Sequence, residues 1–196
     1  MIKKIFSTLL LVLITLNFAA ANENRILKIG NENAKVTIKV FSSLTCPHCA
    51  KFHLNIFKNL KNEYIDNNKV IFEHHSFPLD LAALNAEKVL RATNDYNKSF
   101  ELLNKIYETQ NQWAVGSDIN KINELIKKIA LDFGLTPKQI DKFLNDEMIQ
   151  DQILEERINA QKNYKIESTP TIYINNKKYD GKHEYSSFKK ALDKEL

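Results

Sequence analysis

Chemistry in this chain concentrates in Thr45-Cys46-Pro47-His48-Cys49, which holds both of its cysteines. Two thiols at that spacing can close a disulfide or supply half of a zinc site. A zinc site needs two more ligands, and no second Cys-x-x-Cys exists. Among His48, His53, His74, His75 and His183, only His48 and His53 have ligand spacing, on the stretch that already carries the cysteines. His74 and His75 are adjacent, and adjacent strand residues point to opposite faces, so they cannot share a ligand. They read as structural or surface residues, at most one of them near the site. The cysteine pair reads as a redox site.

The flanking pattern explains how such a site would be held. Val36-Thr37-Ile38-Lys39-Val40-Phe41 is β-branched and aromatic, as a strand requires. After it, Cys49, Phe52, Ile56, Leu60 and Tyr64 recur at helical spacing. Cys46 therefore stands where a strand passes into a helix, with Cys49 one turn further in. The first helical turn offers unpaired N–H groups and the positive end of the dipole, and both favour a thiolate. Pro47 suits the first helical position, because it lacks an N–H and its φ is already helical. His48 adds positive charge beside the sulfur when protonated. A low-pKa Cys46 with a shielded Cys49 partner is the expectation.

Met1 to Ala21 stands apart in composition. Lys3 and Lys4 precede an apolar run from Leu9 to Leu16, and Ala19-Ala20-Ala21 forms an A-x-A signal, which predicts export with cleavage after Ala21. The alternative is a retained anchor, but the run is short and carries Ser7, Thr8, Thr15 and Asn17. Export suits a disulfide, which persists outside the reducing cytosol. Residues 22–196 then form one domain. Without Lys3 and Lys4 the formal charge falls from +4 to +2, with scattered lysines, and nucleic acid is excluded as a partner. Four glycines and four prolines leave no room for long linkers.

Downstream, Arg25 to Ile29 reads as a short edge strand, and Val70 to His75 as the strand that completes a parallel βαβ unit. From about 79 to 164 the pattern is helical, too long for a simple crossover, which predicts an inserted helical subdomain. One helix opens at Ser117-Asp118 and stops at Gly134, and another opens on a capping box at Thr136-Pro137-Lys138-Gln139. Met148 to Ile158 continues or restarts a helix. The lone Trp113 has no assignable role. Thr171 to Ile174 and Lys177 to Asp180 form a hairpin across Asn175-Asn176, and a last helix carries Phe188, Ala191 and Leu192.

Three stretches carry a resemblance. Ser42-Ser43-Leu44-Thr45-Cys46-Pro47-His48-Cys49 resembles the active-site segment of the DsbA-like thiol:disulfide oxidoreductases, a branch of the thioredoxin superfamily. His75-Ser76-Phe77-Pro78-Leu79 resembles the end of the next core strand of that family, and Ser168-Thr169-Pro170-Thr171 resembles the loop whose proline is cis beside the disulfide. The likeness spans about residue 25 to the C-terminus. It implies an α/β thioredoxin-like fold with an inserted helical subdomain. It also implies substrate binding at Thr169 and Pro170, with the Thr169 backbone pairing to an extended chain.

The function implied is a periplasmic oxidase that passes the Cys46–Cys49 disulfide to reduced, unfolded exported polypeptides, with Pro47 and His48 tuning the couple. A quinone-linked, DsbB-like membrane thiol oxidase would restore the disulfide, and no metal or organic cofactor is needed. A reductase or isomerase is the second reading, and a non-catalytic chaperone or binding module the third. One departure stands out. Many members of the superfamily bury an acid six residues before the first cysteine, and this chain has Val40 there. Lys39 beside it reads as solvated or at an edge, and Glu73 on the next strand is the candidate for the missing proton role.

Overall fold

The computed structural model describes residues 26–93 and 95–196, so the export signal read over Met1 to Ala21 lies outside the described residues. Five strands form one sheet: β1 (Leu27–Gly30), β2 (Val36–Ser42), β3 (Val70–Ser76), β4 (Thr171–Ile174) and β5 (Lys177–Lys178), in the order β1-β3-β2-β4-β5. β2 and β3 run parallel, from Val36 opposite Val70 to Ser42 opposite Ser76, and the other three pairings are antiparallel. The parallel pair needs a crossover, and helix α1 (47–65) supplies it. β5 is shorter than the sequence pattern suggests. The Tyr179 N–H still reaches Ile172 O at 2.8 Å, after which the chain leaves the ladder.

Helix α1 is not uniform. It starts as an α-helix at Pro47–Phe52 and includes π-helical turns at His53–Phe57 and Lys61–Ile65. The apolar residues explain this winding. From Phe52 to Tyr64 they advance in steps of four, and each step drifts about 40° on a helix of 3.6 residues per turn. Wider turns remove the drift, and Phe52, Ile56, Leu60 and Tyr64 all stay buried.

Between β3 and β4 the chain is helical, as expected of an insertion: α2 (Leu81–Leu90), a 3-10 turn (Arg91–Thr93), α3 (Tyr96–Glu108), α4 (Gln110–Trp113), α5 (Ile119–Asp132), α6 (Pro137–Leu144) and α7 (Glu147–Tyr164). α8 (Tyr185–Leu192) closes the fold. Asp118 caps α5, and Thr136 and Gln139 form the expected capping box of α6. Asp146 caps α7, which therefore restarts rather than continues α6. Gly134 ends α5 with φ +104°, a conformation that suits glycine.

The sheet buries two faces. Phe72 points to one, where it meets Phe57 of α1 and Phe100 of α3, and Phe188 of α8 packs on Phe52. Phe41 points to the other, against Tyr164 of α7 and Tyr173 of β4. Trp113 gains a role here: its ring is fully buried and its Nε1 donates to Ile106 O at 2.9 Å, fastening α4 onto α3.

Candidate active site

The thiols stand where the sequence places them. Cys46 is the N-cap of α1, with extended backbone, and Pro47 takes the first helical position. Cys46 is 7% exposed and Cys49 1% exposed, while Pro47 and His48 face solvent. Both cysteines are free thiols in this structure. Hydrogen bonding from Cys49, against the cost of burial, holds the Cys46 thiol down at about 5, and the Thr169 side chain and the backbone of Cys49 and His48 add to it. Burial, and then Cys46 itself, pushes Cys49 well above the ordinary thiol range. One sulfur is prepared as a nucleophile and leaving group, and the other is kept protonated beside it. His48 acts on the sulfur through its backbone, with its ring outside, so the imidazole charge assigned to it from sequence is not the main effect.

Thr169 and Pro170 complete the site. Their peptide bond is cis, and the Cys46 thiol lies 3.4 Å from Thr169 O as its donor. Both residues are half-buried. β4 begins immediately after them and pairs with β2, so the sheet itself brings this loop to the helix N-terminus.

Several residues that position the site carry no local sequence signal. Gln110 of α4 donates through Nε2 to Leu44 O at 2.7 Å and to Cys46 O at 3.1 Å. Thr45 Oγ1 donates to Asp80 Oδ2, the N-cap of α2, at 2.8 Å, and the Leu79 N–H donates to Ser43 Oγ at 3.2 Å. The helical insertion therefore clamps the loop before Cys46 at two points. Replacing Gln110 by leucine keeps the volume and removes both donors, and a loss of about 1–2 kcal/mol in urea unfolding is expected. A loss of only a few tenths would mean that the loop holds itself.

Of the two readings left open for the histidines the structural one holds, and Lys39 differs from expectation. His74 and His75 do point to opposite faces, but neither is at the surface. His74 Nε2 meets Glu87 Oε1 of α2 at 2.9 Å, and His75 Nε2 meets Glu73 Oε2 at 2.8 Å. Lys39 is half-buried rather than solvated, with Nζ donating to Tyr164 OH at 3.2 Å and lying 3.8 Å from Glu73 Oε2. Glu73 thus serves the Phe41 face of the sheet, away from the core cluster that contains Cys49, and the proton role considered for it loses its geometric basis. Among the described residues, no group of three or more His, Cys, Asp or Glu could hold a metal ion.

A strand-to-helix thiol pair, a facing cis proline and a helical insertion between β3 and β4 define a thioredoxin-like thiol site. A family model described as Thioredoxin matches residues 21–194, and the chain belongs to that family, in its DsbA-like branch. The crystal structure of alpha-DsbA1 from Wolbachia pipientis superimposes with a TM-score of 0.80 and 25% identity, over 88% of this chain and 92% of that one. A Rickettsia bellii protein with the provisional name protein-disulfide oxidoreductase is 30% identical over 86% of this chain. The chain spans 63% of that relative's length. Disulfide bond formation protein D of Bacillus subtilis is 27% identical, over 86% of this chain and 76% of its own length.

Proposed function

We propose that this protein is a thiol:disulfide oxidoreductase working in the oxidising direction, on reduced, unfolded polypeptides in the periplasm. The observation that carries the direction is Cys46 at a helix N-terminus, held at about 5. A substrate thiolate attacks the Cys46 sulfur of the enzyme disulfide, the Cys46–Cys49 bond breaks, and a mixed disulfide forms. A second substrate thiolate then attacks the substrate sulfur of that bond, and Cys46 leaves as a thiolate. The better Cys46 carries the negative charge, the faster it leaves and the more the equilibrium favours oxidised substrate. Thr169 O beside Cys46 offers an acceptor to an extended substrate backbone. The names of the rickettsial and Bacillus relatives support thiol–disulfide chemistry, and the pattern of Met1 to Ala21 supports export. A membrane thiol oxidase of the DsbB-like, quinone-linked kind would regenerate the disulfide.

Equilibration of the protein with reduced and oxidised glutathione tests the direction. A potential well above the roughly −270 mV of thioredoxin, toward the roughly −120 mV of a strong oxidant, is expected. A thioredoxin-like value would make the protein a reductase. Cys46→Ser is expected to abolish exchange altogether; a variant that kept its full effect on substrate folding would instead mark a chaperone.

A further inference from the structure

Cys46 reaches its place through a short joint between a turn and a helix. Ser43 to Cys46 form the turn, with the Cys46 N–H on Ser43 O at 3.1 Å, and α1 begins at the next residue. How the sulfur addresses the helix is set at the joint, by a φ of −81° and a ψ of 119° at Cys46. A rotation there swings the sulfur relative to the backbone N–H groups of His48 and Cys49, which support the thiolate. Pro47 has no N–H, so the Cys46 carbonyl is the one polar handle on the peptide that follows Cys46. That carbonyl accepts from the N–H of Cys49 at 3.1 Å and of Ala50 at 3.2 Å, which ties it to the helix but not to the turn.

Gln110 makes the missing tie. Its Nε2 donates to Cys46 O at 3.1 Å and to Leu44 O, inside the turn, at 2.7 Å. Both acceptors are carbonyls, so the amide must present its nitrogen to them. One NH2 group therefore fixes the two peptide planes that flank Thr45 and Cys46. Leu44 is fully buried, so its carbonyl needs a donor from the protein, and Gln110 supplies it. The carboxamide comes from a rigid base. Buried Trp113 pins α4 to α3 through Ile106 O, and its backbone N–H reaches Thr109 O at 3.3 Å. The Ala114 N–H closes the same turn on Gln110 O at 2.9 Å.

We propose that Gln110 is a positioning residue for the exchange, through which the helical insertion holds Cys46 at the angle that makes the couple oxidising. It acts through Cys46 and does not touch substrate. A glutamine side chain carries no charge, so its effect is geometric. With both carbonyls held, the sulfur stays on the helix N–H groups; without them the joint turns and the negative charge loses part of that support. The titratable groups around the joint are Asp80 on the Thr45 hydroxyl, His48 in solvent and buried Cys49, and none of them is removed by a change at Gln110. The disulfide form depends on Gln110 less, because the Cys46–Cys49 bond closes the same joint covalently. An ordinary clamp would support both forms alike, and that difference separates the two roles. The inference rests on the oxidising reading proposed above.

The test compares wild type with Gln110→Leu and Gln110→Met by three measurements: the thiolate midpoint from ultraviolet absorbance, the equilibrium with glutathione, and urea unfolding of the reduced and disulfide forms. In both variants the midpoint is expected to rise by about one pH unit, and at pH 7 the glutathione equilibrium to move about tenfold toward the disulfide form. The reduced form should lose more stability than the disulfide form, as the same cycle requires. Methionine is unbranched and matches glutamine in length, so Gln110→Met decides alone if Gln110→Leu does not fold. Glu156→Ala, which loosens the far face of the sheet, is the control and should leave the midpoint and the equilibrium at their wild-type values. Equal losses in the two forms with an unchanged midpoint overturn the inference and leave the oxidising reading intact. A control that shifts the couple as far as the Gln110 variants also overturns it, because general loosening would then account for the shift. A wild-type midpoint near 9 with a thioredoxin-like equilibrium overturns both readings.

Discussion

Lowering the pH through 5 is expected to remove the Cys46 thiolate of the reduced protein, and with it part of that form's advantage over the disulfide form. Cys46 is held at about 5 in the fold, against an ordinary value of 9.0. For an acid whose pKa the fold depresses, the stabilisation is complete above the unfolded value, near 9, and is lost as pH falls through the folded value, near 5. At pH 7 it amounts to about 1–3 kcal/mol, discounted for the side of the sulfur near solvent. The disulfide form has no such thiolate and gains nothing from this source. Closing so short a loop stabilises it by a fixed amount that does not depend on pH. The gap between the two forms should therefore move toward the reduced form between pH 4 and pH 8. Urea unfolding of both forms across that range measures it, alongside the ultraviolet absorbance of the thiolate. A gap that stays constant with pH, or a thiolate midpoint near 9, would remove the physical basis for an oxidising couple.

A second large effect lies on the opposite face of the sheet. Glu156 of α7 is 3% exposed, accepts from Arg91 at 2.7 Å, and takes the Ser76 N–H at 3.0 Å. Glu156→Ala leaves a buried guanidinium short of a carboxylate and a buried amide without its acceptor. Removing one partner of a buried pair costs about 3–5 kcal/mol, which in a chain of this size lowers Tm by roughly 10 °C. Glu87, which His74 and then Arg91 hold below the usual carboxylate range against the cost of burial, already has its two oxygens on His74 and the Ser76 hydroxyl. The Cys46 titration should stay at about 5 in this variant, because α7 covers the face away from the thiols. A loss under about 1 kcal/mol would mean that the pair costs as much to desolvate as it returns.

Much of this site is local, and local features are legible in a sequence. Cys46, Pro47 and Cys49 lie within one turn of one helix, so the N-cap, the first helical position and the buried partner all follow from spacing and from the unpaired N–H groups of any helix start. The βαβ unit and the capping box at Thr136 are legible for the same reason: each is set by residues a few positions apart. The resemblance in Ser168-Thr169-Pro170-Thr171 placed a cis proline that the spacing of residues alone could not place.

What only the tertiary structure decided depends on partners far apart in the chain. Gln110 and Leu44 are 66 residues apart, and nothing in either neighbourhood marks them as a clamp. His74 and His75 read as structural or surface residues because Glu87 and Glu156 become their partners only when α2 and α7 pack on opposite faces of β3. Lys39 looked solvated for the same reason, since Tyr164 arrives from 125 residues away. Val40 showed that the usual acid was missing, but its register partner on β3 is His74, and Glu87 reaches that residue from a helix. A buried charge is stable only with its partner in place. Such residues therefore declare themselves in pairs, and the fold is what makes the pairs.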